Sequence, residues 1–182
     1  MQRKYFPTGP DLQQIFRSRI KVCKEVEMAE RLKYAKAFPE GVHALLSLGK
    51  VIAASGLEPS LLHLVYTRAS LLNGCAYCID MHTMDARAAG ETEQRLYALS
   101  AWRETPFFSP RERAALAWTE AITNIQQGHA SDEIYEEARP AFDEAELAKL
   151  TLAIAYINAW NRIAIGFRAE PGTYQQAAHI TA

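Results

Sequence analysis

The chain has 182 residues, 49% of them hydrophobic and 23% charged, with 20 Lys and Arg against 21 Asp and Glu. That length suits one domain, alone or with a short arm. A formal net charge of −1 and a pI near 6.5 exclude a broad basic face, so nucleic acid is not an expected partner. No apolar run approaches the roughly 20 residues of a membrane-spanning helix, and no apolar segment follows the basic start of MQRKYFPTGPDLQQ, so neither a membrane nor a signal peptide is expected. The three cysteines, Cys23, Cys75 and Cys78, are too few for a secreted disulfide framework, and a cytoplasmic location is expected.

Thirty alanines spread along the chain favour helix, and alternating strand-like runs are nearly absent. The first 36 residues are charge-rich (RSRIKVCKEVEMAERLKYAK) and read as an amphipathic leading arm before a helical domain over 37–182. FPEGVHALLSLGKVIAASG places apolar residues at helical spacing and stops at Gly56. A second helix restarts near Pro59 and ends at Asn73-Gly74; a third runs from Cys75 to Gly90. Thr92–Trp102 forms a short segment that Pro106 closes off. Ser109, Pro110 and Glu112 then spell a capping box, opening a helix expected to run to Gly128. A short helix follows from Ser131 to about Arg139, before Pro140. The last helix, DEAELAKLTLAIAYINAWNRIAIGF, is apolar nearly all round, which suits burial among neighbours or across a subunit interface. The whole is an all-α bundle of about seven or eight helices.

Chemistry concentrates in NGCAYCIDMH. On a helix, positions i, i+3 and i+7 share a face, which aligns Cys75, Cys78 and His82. Both sulfurs then sit in or beside a first helical turn, where unpaired backbone N–H groups and the positive dipole end favour a thiolate. His82 can accept a thiol proton or, as an imidazolium, hold the thiolate charge. A thiolate attacks peroxides or disulfides, and a second cysteine one turn away can condense with the resulting sulfenic acid. Three readings stay open on spacing alone: a redox pair, a zinc site using Cys₂His plus a fourth ligand, and inert core cysteines with a packed histidine.

The stretch HLVYTRASLLNGCAYCIDMHTMDAR, with INAWNRIAIGFR downstream, closely resembles the AhpD-like alkylhydroperoxidases of the carboxymuconolactone decarboxylase superfamily. The likeness extends over roughly Phe38 to Pro171. It implies an AhpD-like all-helical fold, a homo-oligomer (trimer or hexamer), and a thiol peroxidase that needs no metal or bound cofactor. It further implies that Cys78 attacks the peroxide, that Cys75 resolves the product into a Cys75–Cys78 disulfide, and that His82 belongs to a proton relay. The expected partners are a small hydroperoxide and an external dithiol reductant, either a donor protein or a lipoamide-like group.

The chain departs from the family pattern at two places. The relay glutamate, twelve residues before the first cysteine, is replaced by His63, which can accept a proton near neutral pH or pack among leucines. Tyr77 stands where some relatives carry a histidine. Asn158, Trp160, Asn161 and Arg162 match a family segment that either lines the pocket (Tyr77, Trp160 and Asn161 being the pocket candidates) or packs, with Arg162 pairing a carboxylate. Leu71, Leu72, Ile79 and Met81 offer a hydrophobic entrance favouring organic peroxides. His43, His129 and His179 read as surface or packing residues, and Cys23 as a lone thiol. Two alternatives remain: a decarboxylase of the namesake type, which needs no dithiol, and a non-catalytic redox sensor in which the disulfide switches an interface.

Overall fold

The computed structural model describes residues 29–175; the greater part of the leading arm, Cys23 and His179 lie outside them. The described residues form eight α-helices and no strands: α1 Tyr34–Ala37, α2 Pro39–Ala53, α3 Pro59–Asn73, α4 Ala76–Ala88, α5 Glu93–Ala98, α6 Pro110–Thr123, α7 Asp132–Ala138 and α8 Glu144–Phe167. Short 3₁₀ turns, Leu99–Glu104 and Ile125–Gln127, follow α5 and α6.

Local chemistry accounts for most boundaries. Prolines occupy the first turn of α2, α3 and α6, where the missing N–H costs nothing. The Ser109–Glu112 capping box is present at α6, and a second box, Asp143 with Glu146, opens α8. Two expectations need correction. The Thr92–Trp102 segment is not one helix: it breaks after Ala98, and Ala101 leaves helical geometry inside the 3₁₀ turn. The helix expected to reach Gly128 ends at Thr123, since Asn124 leaves helical geometry and a separate 3₁₀ turn intervenes.

The hub of the bundle is α3, packed against α4, α6 and α8. Leu61, Leu62, Leu64, Val65, Thr67, Ala69 and Ser70 are all buried, so every face of α3 meets protein. One core cluster joins Ile52, Leu62, Val65, Trp118, Phe142, Leu150 and Ile154, and another gathers Leu64, Leu99, Trp102, Phe108 and Leu116. The long α8 is buried along Leu147, Leu150, Ile154 and Ile157, yet Leu152 and Ile165 are exposed. Its apolar surface therefore exceeds what the described chain covers.

Charged side chains bolt the helix ends together. Arg111 reaches Glu58 at the start of α3 and Glu146 at the start of α8, with its guanidinium 4.2 Å over the Phe142 ring. Glu120 of α6 accepts from Arg68 of α3, from Arg103, and from the Trp102 indole at 2.6 Å. Arg31, near the end of the arm, donates from its backbone N–H to Phe167 and from its side chain to Gly166, covering carbonyls at the end of α8.

Ser109→Ala removes the acceptor for the Glu112 N–H and is expected to lower stability by about 1 kcal/mol, read as a shift of the urea-unfolding midpoint.

Candidate active site around Cys75, Cys78 and His82

The site begins with a chain reversal. Gly74 ends α3 in the left-handed region (φ 66°, ψ 32°), where a Cβ would be strained. Cys75 is the N-cap of α4, and its carbonyl accepts the first helical bond, from Ile79. Cys78 is therefore the third helical residue, in the turn whose N–H groups have no intrahelical acceptor. A disulfide joins Cys75 to Cys78, with Cα atoms 5.3 Å apart. Both cysteines are almost fully buried, and His82, one turn below Cys78 on the same face, is 7% exposed.

The reversal is held from beneath by amides. The Asn73 side chain donates to the Ala69 carbonyl and to the side-chain oxygens of Asn158 (3.0 Å) and Asn161 (2.8 Å). Asn161 donates in turn to Ser70, and Asn158 to Thr123. Asn161 is fully buried in this network and does not line the cavity beside Cys78; one residue after Trp160, the helix has turned it toward α3. Arg162 donates to the Asn158 backbone and side-chain oxygens at 2.8 Å, and no carboxylate pairs with it among the described residues.

A cavity of about 330 Å³ opens on Cys78 and His82. Its walls include Tyr34, Tyr77, Met81, Tyr156 and Trp160. The rings form a chain: Tyr34 lies 6.4 Å from Trp160, Trp160 meets Tyr156 edge-on at 6.3 Å, and Tyr66 lies 5.2 Å from His82. Tyr77 and Trp160 thus both line this cavity. Of the proposed entrance residues only Met81 faces this cavity, since Leu71 and Ile79 line a separate groove with residues of α5.

His63 joins the site from α3. It lines a second, larger cavity of about 670 Å³ together with His82, Tyr66 and Tyr156. His43, read from sequence as a surface or packing residue, lines it too. Burial pushes the His82 pKa down to about 4, with the neighbouring His63 acting in the same direction. Burial also lowers His63, partly opposed by Asp85 and Glu91. Buried His82 Nε2 and His63 Nδ1 have no hydrogen-bond partner. The site with its disulfide closed therefore presents neutral imidazoles with free ring nitrogens.

Tyr34 and Tyr156 lie on helices distant in sequence from the motif, and Tyr66, within the quoted stretch, carries no spacing signal that marks it as a site residue. His43 has neighbours in sequence that give it no role. Among the described residues no cluster of three or more His, Cys, Asp or Glu side chains is arranged to hold a metal ion. No described helix is long and apolar enough to cross a membrane. Beyond α4, Gly172 N–H donates to Asp80 and the Tyr174 hydroxyl to Asp85, each at 2.8 Å, so the chain after α8 returns across the helix that carries the cysteines.

The depressed pKa of His82 carries a sign. Between about pH 4 and the unfolded value near 6.5, the unfolded chain binds the proton and the folded chain does not. Stability is complete above about 6.5 and falls as pH drops toward 4, by at most about 1.4 kcal/mol per pH unit for this group. Urea midpoints of the oxidised protein should decline over that window, and His82→Gln should flatten the decline.

The chain is similar in sequence and fold to known proteins. A model of the carboxymuconolactone decarboxylase family matches residues 39–121. The uncharacterized protein YdfG of Bacillus subtilis (strain 168) is 45% identical over 138 residues, which span 76% of this chain and 94% of YdfG. A crystal structure from Agrobacterium tumefaciens, of a protein of unknown function proposed as the antioxidant defence protein AhpD, aligns with a TM-score of 0.78 at 43% identity, covering 80% of this chain and 100% of that one. An uncharacterized peroxidase-related protein from Silicibacter sp. TM1040 shares the fold at a TM-score of 0.68 and 19% identity, over 92% of this chain and 90% of its own. With this fold, this cysteine pair and these relatives, the chain belongs to the carboxymuconolactone decarboxylase family, among its AhpD-like members.

Proposed function

We propose that this protein is a thiol peroxidase that reduces hydroperoxides with electrons from an external dithiol and needs no bound cofactor. The observation that carries the reading is the placement of the Cys75–Cys78 pair at the start of α4, with Cys78 on a cavity shared with His82. The antioxidant-defence description of the Agrobacterium relative, 43% identical, points the same way.

The chemistry runs in three balanced steps. The Cys78 thiolate attacks the terminal peroxide oxygen; the O–O bond breaks, the alkoxide takes a proton and leaves as the alcohol, and Cys78 becomes a sulfenic acid. The Cys75 sulfur attacks that sulfenic sulfur, and water departs as the disulfide forms. A dithiol then reduces the disulfide with two electrons, becoming a disulfide itself. In the reduced enzyme the first-turn N–H groups of α4 stabilise the thiolate. Neutral His82 receives the thiol proton, and the thiolate beside it raises its basicity relative to the oxidised state. That proton returns from His82 to the departing alkoxide, and His63, taking the place of the family glutamate, exchanges protons between His82 and the larger cavity. A homo-oligomer suits the exposed Phe38, Val51, Leu152 and Ile165.

Hydroperoxide consumption with a dithiol donor tests the reading. Cys78→Ser should abolish it, whereas Cys75→Ser should react once and stop as a sulfenic acid detectable by mass spectrometry. Disulfide formation at one equivalent without turnover, under any dithiol, would overturn the enzyme assignment. His63→Glu should keep turnover within about tenfold of the parent if His63 works by proton transfer, read as kcat across pH; its complete loss in a folded variant would remove His63 from the relay.

A further inference from the structure

The mechanism uses the smaller cavity for chemistry and leaves most of the larger one without a role. The two are neighbours, with Leu46, His82 and Tyr156 lining both. A Cβ at position 49 would overlap the Tyr156 hydroxyl, so glycine there lets the phenol end of Tyr156, a wall of both cavities, press against α2. Together they span about 330 and 670 Å³, the usual range for a small organic ligand.

The lining of the larger cavity is chemically one-sided. Lys50 and the histidines at 43, 63 and 82 supply cationic or hydrogen-bonding nitrogens, Ser47, Tyr66 and Tyr156 supply hydroxyls, and no Asp or Glu lines it. Asp85 and Glu91 act on His63 electrostatically but are not part of the lining. No ion pair engages Lys50 among the described residues. Pro59, Leu62 and Ala53 give the same cavity an apolar floor. The buried, unpartnered His63 Nδ1 and His82 Nε2 add unsatisfied hydrogen-bonding capacity to residues that line it.

We propose that the larger cavity recognises the carboxylate of an organic-acid hydroperoxide, so that the substrate bridges both cavities with its –OOH at Cys78 and its –COO⁻ at Lys50. One permanently cationic side chain, exposed to solvent and sharing the cavity with imidazole and hydroxyl groups, balances a monoanion. The apolar surface between the two ends fits an aliphatic or aryl body. The proposal rests on the peroxidase reading and names its substrate class.

The test compares linoleic acid hydroperoxide, below its micelle concentration, with its methyl ester on the full-length protein. The acid should show a KM about tenfold below that of the ester, and Lys50→Met should erase that preference while Lys50→Arg restores it. A KM ratio near one in the parent, or a preference that survives Lys50→Met, would overturn the carboxylate pocket even if turnover is robust. Calorimetric binding of the corresponding hydroxy acid to the oxidised protein separates the two claims. Binding weakened about tenfold by Lys50→Met supports the pocket even if no hydroperoxide is consumed; binding indifferent to Lys50→Met counts against it.

Discussion

Everything at the site hangs on the reversal between α3 and α4. Gly74 turns the chain in a conformation that side chains resist, and the Asn73 amide ties the turn to α8 through Asn158 and Asn161. These buried amides replace water with specific partners, so any displacement of α8 would leave donors and acceptors unpaired in the interior. The position of Cys75 as the first residue outside α4, and of Cys78 in its first turn, follows from that anchored turn rather than from contacts made by the sulfurs themselves.

Burial is the second consequence of packing this segment against α3 and α8. The disulfide and His82 are removed from water, which makes the local electrostatics strong and keeps the imidazoles uncharged while the disulfide is closed. In the proposed cycle, reduction places a sulfur anion one helical turn from His82, which couples the redox state of the cysteines to the protonation of the histidine through a single helix. The cavities on either side of His82 give its ring a different environment toward each.

Much of this was legible from residues alone, for identifiable reasons. Helix existence and most helix ends follow from local signals: proline in first turns, Ser109 with Glu112, glycine at Gly74 and Gly90. The cysteine and histidine stripe follows from helical spacing. Misreadings arose where local signals were weak or competed. The region after α5 carries apolar residues whose burial of Leu99 and Trp102 overrides a continuous helix, and α6 stops short of the next glycine. Sequence neighbourhood cannot tell which way a helix faces, so the choice between pocket and packing stays open until the structure places Trp160 on the cavity and Asn161 in the amide network. Arg162 similarly meets an amide rather than a carboxylate.

The amino-acid sequence by itself determined the helical class, the α3–α4 turn and the alignment of Cys75, Cys78 and His82, because each depends on residues within one or two helical turns of one another. Tertiary structure alone decided that Tyr34, Tyr66, Tyr156 and Trp160 wall the site, that His43, Lys50 and His63 share a cavity with His82, and that asparagines from α8 hold the turn in place. Those groups come from α1, α2, α3 and α8, and only the packing of α2 on α8, and of α8 on α3 and α4, brings them together.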